Sequence, residues 1–153
     1  MTITDILTKE RVLPDLKSKT KDEVLRELAG LLVDEIPNGD VAKLTDVLRE
    51  RERLNSTAIG EGIAIPHGRL SGTRSVVAGF ARSSAGIDFE SVDQKPTHLF
   101  FVLVAPDDAA AMHLKALARI SRLLKEKEFR QKLLAIETRE GLFDAIVAED
   151  AKF

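Results

Sequence analysis

The sequence predicts an α/β sandwich, one domain over residues 1–153, with a mixed parallel and antiparallel β-sheet flanked by helices on both faces. Three observations carry this reading. Helical periodicity fills the first and last thirds of the chain, and strand-like segments occupy the middle. Leu99–Ala105 (LFFVLVA) is apolar without alternation, as in a central strand buried on both faces. The order is helices, strands, helices, not a regular βαβ alternation, which argues against a Rossmann-type sheet.

Thr20 and Glu23 have capping-box spacing and open an apolar series through Val24, Leu25, Leu28, Leu31, Leu32 and Ile36, ended by Pro37-Asn38-Gly39. Asp40 caps a second helix whose apolar face is Val41, Leu44, Val47 and Leu48, running into charged Arg49–Arg53. From Asn55 to Thr73 the helical period stops and glycine becomes dense (Gly60, Gly62, Gly68, Gly72). Ile63 and Ile65 alternate with small residues in a short strand ending at Pro66. Ser75–Arg82 reads as a second strand, and Ile87–Phe89 as a short edge strand. Pro106-Asp107-Asp108 stops the central strand and offers a helix cap. Helices follow at roughly 108–125, 126–135 and 138–149.

Composition removes whole classes of function. The chain has no Cys, so disulfides, thiolate zinc sites, iron–sulfur clusters and a cysteine nucleophile are excluded. With 23 Lys+Arg against 25 Asp+Glu, the balance carries no general footprint for nucleic acid or anionic membrane. Leu99–Ala105, the longest apolar run, is too short to span a bilayer. The N-terminal MTITDILTKER lacks a basic-then-apolar signal pattern. A soluble, cytoplasmic protein is expected.

Three residues stand out. His67 lies between Pro66, which stiffens the backbone, and Gly68, which has no Cβ to block close approach. Such a ring can meet an incoming group at a surface cleft; the plain alternative is a loop histidine. His113 shares a helical stripe with Leu117, Ile120 and Leu124, where a satisfied core histidine is the commoner outcome. Arg51 shares a face with Val41, Leu44 and Leu48, and snorkelling at a helix C-terminus is its ordinary explanation. Together they make a phosphoryl site possible, though periodicity alone does not show its geometry. A neutral imidazole attacks phosphorus, an inward Arg51 offsets the phosphoryl charge, glycine-rich backbone donates to its oxygens, and His113 orients His67 or donates to the group. His98, at the head of the central strand, is given no role.

Other chemistries fit poorly. Gly60-x-Gly62 is not a nucleotide-binding loop, the histidines lack metal-ligand spacing, and neither Ser56 nor Ser71 sits in a G-x-S-x-G elbow.

Glu52–Gly68, ERLNSTAIGEGIAIPHG, resembles the signature of type-2 IIA domains of the bacterial phosphoenolpyruvate-dependent phosphotransferase system. This is the mannitol/fructose class, which includes nitrogen-regulatory IIA proteins. GIDFESVDQKP, LFFVLVAP and His113-Leu114 extend the likeness over most of the chain. The resemblance implies that His67 accepts a phosphoryl group from the phosphohistidine of HPr or its nitrogen-branch paralogue. It implies that Arg51 and His113 complete the active site and that Ser56, Thr57, Gly68 and Arg69 contribute to binding. No metal or other cofactor is expected, since one N–P bond replaces another. The chain ends shortly after its last helix, which favours a stand-alone nitrogen-regulatory IIA protein signalling to a regulated partner. The alternatives are a IIA subunit feeding a fructose- or mannitol-type permease, and a binding module without phosphoryl transfer. Leu54, Ile59, Ile63 and Leu70 are candidate apolar contributors to a docking surface around His67 where they are exposed; buried, they are simply core, the commoner fate of such residues.

Overall fold

A computed structural model describes residues 1–153. The elements run β1 (Val12–Leu13), α1 (Lys21–Gly30), α2 (Val41–Leu54), β2 (Ala58–Gly60), β3 (Ile63–Ala64), β4 (His67–Arg69), β5 (Val77–Ile87), β6 (Thr97–Ala105), α3 (Ala110–Leu123), α4 (Lys127–Ala135) and α5 (Arg139–Asp150). One mixed sheet has the order β1-β5-β6-β3-β2, with β4 also paired to β6. β5 is antiparallel to β6, whereas β3 and β4 are parallel to it.

The central strand explains the sandwich. Leu99, Phe101, Leu103 and Ala105 point into one core, with Ala116, Ile120 and Leu123 of α3 and Leu142 and Ile146 of α5. Phe100, Val102 and Val104 point into the other, with Leu25 and Leu28 of α1 and Leu44 and Leu48 of α2. A period of two places alternate residues on opposite faces, so an unbroken apolar run serves two cores at once.

β3 and β4 are one line of chain interrupted at Ile65-Pro66. Ile63 pairs with Leu99 and His67 with Leu103, the same offset on both sides of the break. Proline has no N–H to donate, but its carbonyl still accepts from Leu103 at 3.0 Å, so register survives. Odd positions of this line therefore face the α3 side, and even positions face α2.

Several boundaries differ from the sequence expectation. α1 stops at Gly30, not Ile36. Leu31 N–H bonds back to Leu28, Val33–Glu35 form a 3₁₀ turn, and Leu32 and Ile36 still reach the α1/α2 core. No separate edge strand forms at 87–89, since Asp88 and Phe89 lie beyond β5. The strand expected at 75–82 begins at Val77 and runs on to Ile87 as β5, irregular between Arg82 and Ile87. Gly86 permits this: at φ +85, a Cβ there would lie 2.8 Å from Pro96 Cβ. The proposed cap at Pro106–Asp108 does not form. Ala109 is the N-cap of α3, without a side-chain hydrogen bond. No helix is long and apolar enough to cross a membrane.

Candidate functional site

β4 lies at an open edge of the sheet, because β2 pairs with β3 alone. α2 reaches this edge from one face and α3 from the other. Between them lies a cleft of about 400 Å³, lined by Val47 and Arg51 of α2, His67–Arg69 of β4, and Ala110, His113, Leu114 and Leu117 of α3.

His67 is half-buried, its position on the α3 side of the sheet fixed by pairing with Leu103. Its Nδ1 lies 2.7 Å from the carbonyl oxygen of Ile65. A carbonyl only accepts, so Nδ1 carries the proton and Nε2 holds the lone pair. Burial lowers the His67 pKa most, Arg51 lowers it further, and the Ile65 bond and Glu52 oppose that shift. Burial thus favours the neutral ring.

His113, 6% exposed, packs edge-on against His67 with ring centroids 5.7 Å apart. Its pKa is also lowered, by burial first and then by His67 and Arg69. Its Nε2 is buried without a hydrogen-bond partner. An orphaned buried polar atom is costly in a plain core, and His113 also lines the cleft.

Arg51 is held by its own helix end, Nη1 donating to the backbone oxygen and to Oδ1 of Asn55, both at 3.2 Å. Gly68 is where α2 touches β4. A Cβ at Gly68 would lie 2.6 Å from Val47 Cγ1, and Arg51 is one helical turn beyond Val47. The missing Cβ thus admits the helix that carries the arginine, rather than the incoming group itself.

Arg69 lines the cleft with an exposed side chain. Ser56 and Thr57 lie outside its lining. Ser56 Oγ donates to Phe89 O at 2.8 Å and accepts from Ala58 N, while Thr57 N–H and Oγ–H both donate to Glu52. Of the apolar candidates for docking, Leu54 (80%) and Ile59 (57%) are exposed, whereas Ile63 and Leu70 are buried core residues. Leu114, 69% exposed on the cleft wall, was not among them. His98 Nδ1 donates to Ser83 O at 2.8 Å, a bond between β6 and β5. Glu52 was missed too, although it falls four residues after Leu48 on the buried stripe of α2.

Two imidazoles with lowered pKa values and an arginine thus line one cleft at an open sheet edge of an α/β sandwich. The chain belongs to the phosphoenolpyruvate-dependent sugar phosphotransferase system EIIA 2 family, whose model matches residues 5–149. Proteins of this family are phosphoryl carriers that receive the group from HPr-type proteins and pass it to partners. The chain is 41% identical over 151 residues to the nitrogen regulatory protein of Bradyrhizobium diazoefficiens, covering 99% of this chain and 98% of that one. It is 37% identical to the fructose-specific EIIABC component of Bacillus subtilis, covering 98% of this chain and 24% of that one. The crystal structure of nitrogen regulatory protein IIA-Ntr from Neisseria meningitidis superposes with a TM-score of 0.88 at 30% identity, covering 94% of this chain and 98% of that one.

Proposed function

We propose that His67 Nε2 takes a phosphoryl group from the phosphohistidine of HPr or its nitrogen-branch paralogue and later passes it on or displays it to a regulated partner. The carrying observation is His67 Nδ1 at 2.7 Å from Ile65 O, which leaves Nε2 with the lone pair, in a cleft shared with Arg51 and His113. In the transfer, the donor's N–P bond breaks and a bond from phosphorus to Nε2 forms. The donor imidazole recovers its lone pair, and the Ile65 carbonyl holds the His67 ring in the required tautomer throughout. The phosphoryl group brings about −1.5 to −2 charges into a half-buried cleft, which Arg51 and Arg69 offset. The buried Nε2 of His113 gains a partner when the group arrives. Gly68 sets the α2 approach, and Ser56 and Thr57 shape the turn before β2. Because both reacting bonds are N–P bonds, the work is positioning and charge compensation at a protein–protein contact, and no metal takes part.

The nitrogen-regulatory reading rests on the 41% identity shared with a relative of matching length. The 37% identity to a fructose-specific EIIABC component supports the alternative, delivery to a sugar permease. In either reading the protein works beside its carrier in the cytoplasm. The test is incubation with Enzyme I, HPr and phosphoenolpyruvate, followed by intact mass. One acid-labile PO₃ group is expected on the wild type and none on His67→Ala. An unmodified wild type, or a modified His67→Ala, refutes the proposal.

A further inference from the structure

We propose that Glu52 is a positioning residue: its carboxylate clamps the turn 53–56 so that Asn55 holds the Arg51 guanidinium toward the cleft. The inference rests on the phosphoryl-carrier reading but draws on contacts outside the cleft lining.

Glu52 is a buried carboxylate on the helix turn that carries Arg51, and such a group needs several donors. It has them. Thr57 N–H donates at 3.0 and 3.3 Å, Thr57 Oγ–H also donates, and Lys21 Nζ of α1 lies at 3.1 Å. Lys21 is itself fixed over the Phe89 ring, 4.9 Å from its centroid. Phe89 O accepts from Ser56 Oγ, so the turn is tied to one anchor from two directions.

The clamp joins the last turn of α2 to Thr57, and the residue it constrains is Asn55. Asn55 leaves the helix in extended conformation, and both its oxygens face Arg51. A long arginine side chain has much rotamer entropy to lose, and two acceptors on a fixed turn reduce that freedom before the phosphoryl group arrives. Without the clamp the turn is free to move, and the guanidinium turns to solvent.

The test combines kinetics with a direct view of the arginine. Single-turnover transfer from phosphorylated HPr is measured for wild type, Glu52→Gln, Thr57→Val, Arg51→Ala and both double variants with Arg51→Ala. Thr57→Val removes the hydroxyl donor to Glu52 while leaving the backbone N–H, weakening the same clamp from its other end, and serves if Glu52→Gln fails to fold. With Arg51 present, each clamp variant should slow transfer about 10- to 100-fold. In the Arg51→Ala background the added loss should be within about twofold, because the clamp acts through the arginine. Equal losses in both backgrounds overturn the proposal and assign Glu52 to the electrostatics of His67 or to the fold. Rotation of the Arg51 guanidinium, followed by ¹⁵N magnetic resonance, should quicken in the clamp variants; unchanged rotation also overturns it. This second reading needs no transfer, so failure of wild-type phosphorylation would refute the carrier reading separately.

Discussion

Substituting Gly68 by alanine tests how the cleft is built. The new Cβ would lie 2.6 Å from Val47 Cγ1. Carbon atoms in contact sit about 3.5–4.0 Å apart, so α2 and β4 must separate by about 1 Å. Val47 is β-branched and stiff at χ1, and the neighbouring core is close-packed, so rotamer change gives little relief. Overpacking of this kind costs about 1–3 kcal/mol, which for a domain of this size lowers Tm by about 2–12 °C. The functional loss should exceed the stability loss. Arg51 moves with α2, and a 1 Å misplacement of a positioning group costs transfer up to about 100-fold. The assay is thermal unfolding by circular dichroism alongside single-turnover transfer from phosphorylated HPr. Adding Val47→Ala removes the clashing methyl and should restore most of the rate lost in Gly68→Ala. Wild-type Tm and rate in Gly68→Ala would refute the reasoning, as would a double variant no faster than the single one.

Two further outcomes follow from buried groups. His67 and His113 have folded pKa values below the ordinary histidine value of about 6.5, so as pH falls the unfolded chain binds protons first and stability drops. The facing charges are Arg51 and Glu52 for His67, and Arg69 and His67 for His113. Denaturant melts between pH 8 and pH 5 should show this loss, smaller in His113→Leu; an equal slope in wild type and variant contradicts the assignment. Arg82, buried on β5, donates to Pro14 O and Leu133 O at 3.0 Å and also to Ile136 O. Arg82→Ala orphans these carbonyls and should cost about 2–5 kcal/mol in urea unfolding, and a change under about 0.5 kcal/mol would refute that.

The long periodic segments were legible in the sequence because their own residues determine them. α2 to α5 and β6 follow from apolar spacing; the helical stripes put Arg51 and His113 on inward faces, but only the family resemblance singled them out together with His67. β1, β2 and β4 were not legible. Each has two or three residues and exists only through its partner, as Val12 does through Phe80 and His67 through Leu103. Ile63 and Leu70 are buried, the commoner fate for such residues; the alternation at Ile63 and Ile65 marks a strand but does not say that both of its faces are covered. Glu52 was hidden by its type: a carboxylate on an apolar stripe looks like a misfit until its donors, Thr57 and Lys21, are seen.

The sheet separates two helical layers, and the cleft lies where neither layer is continuous with the other. Arg51 belongs to the α1/α2 layer and His113 to the α3–α5 layer, joined at this edge only through β4. The gap between guanidinium and imidazole is therefore a gauge of how the layers sit on one another.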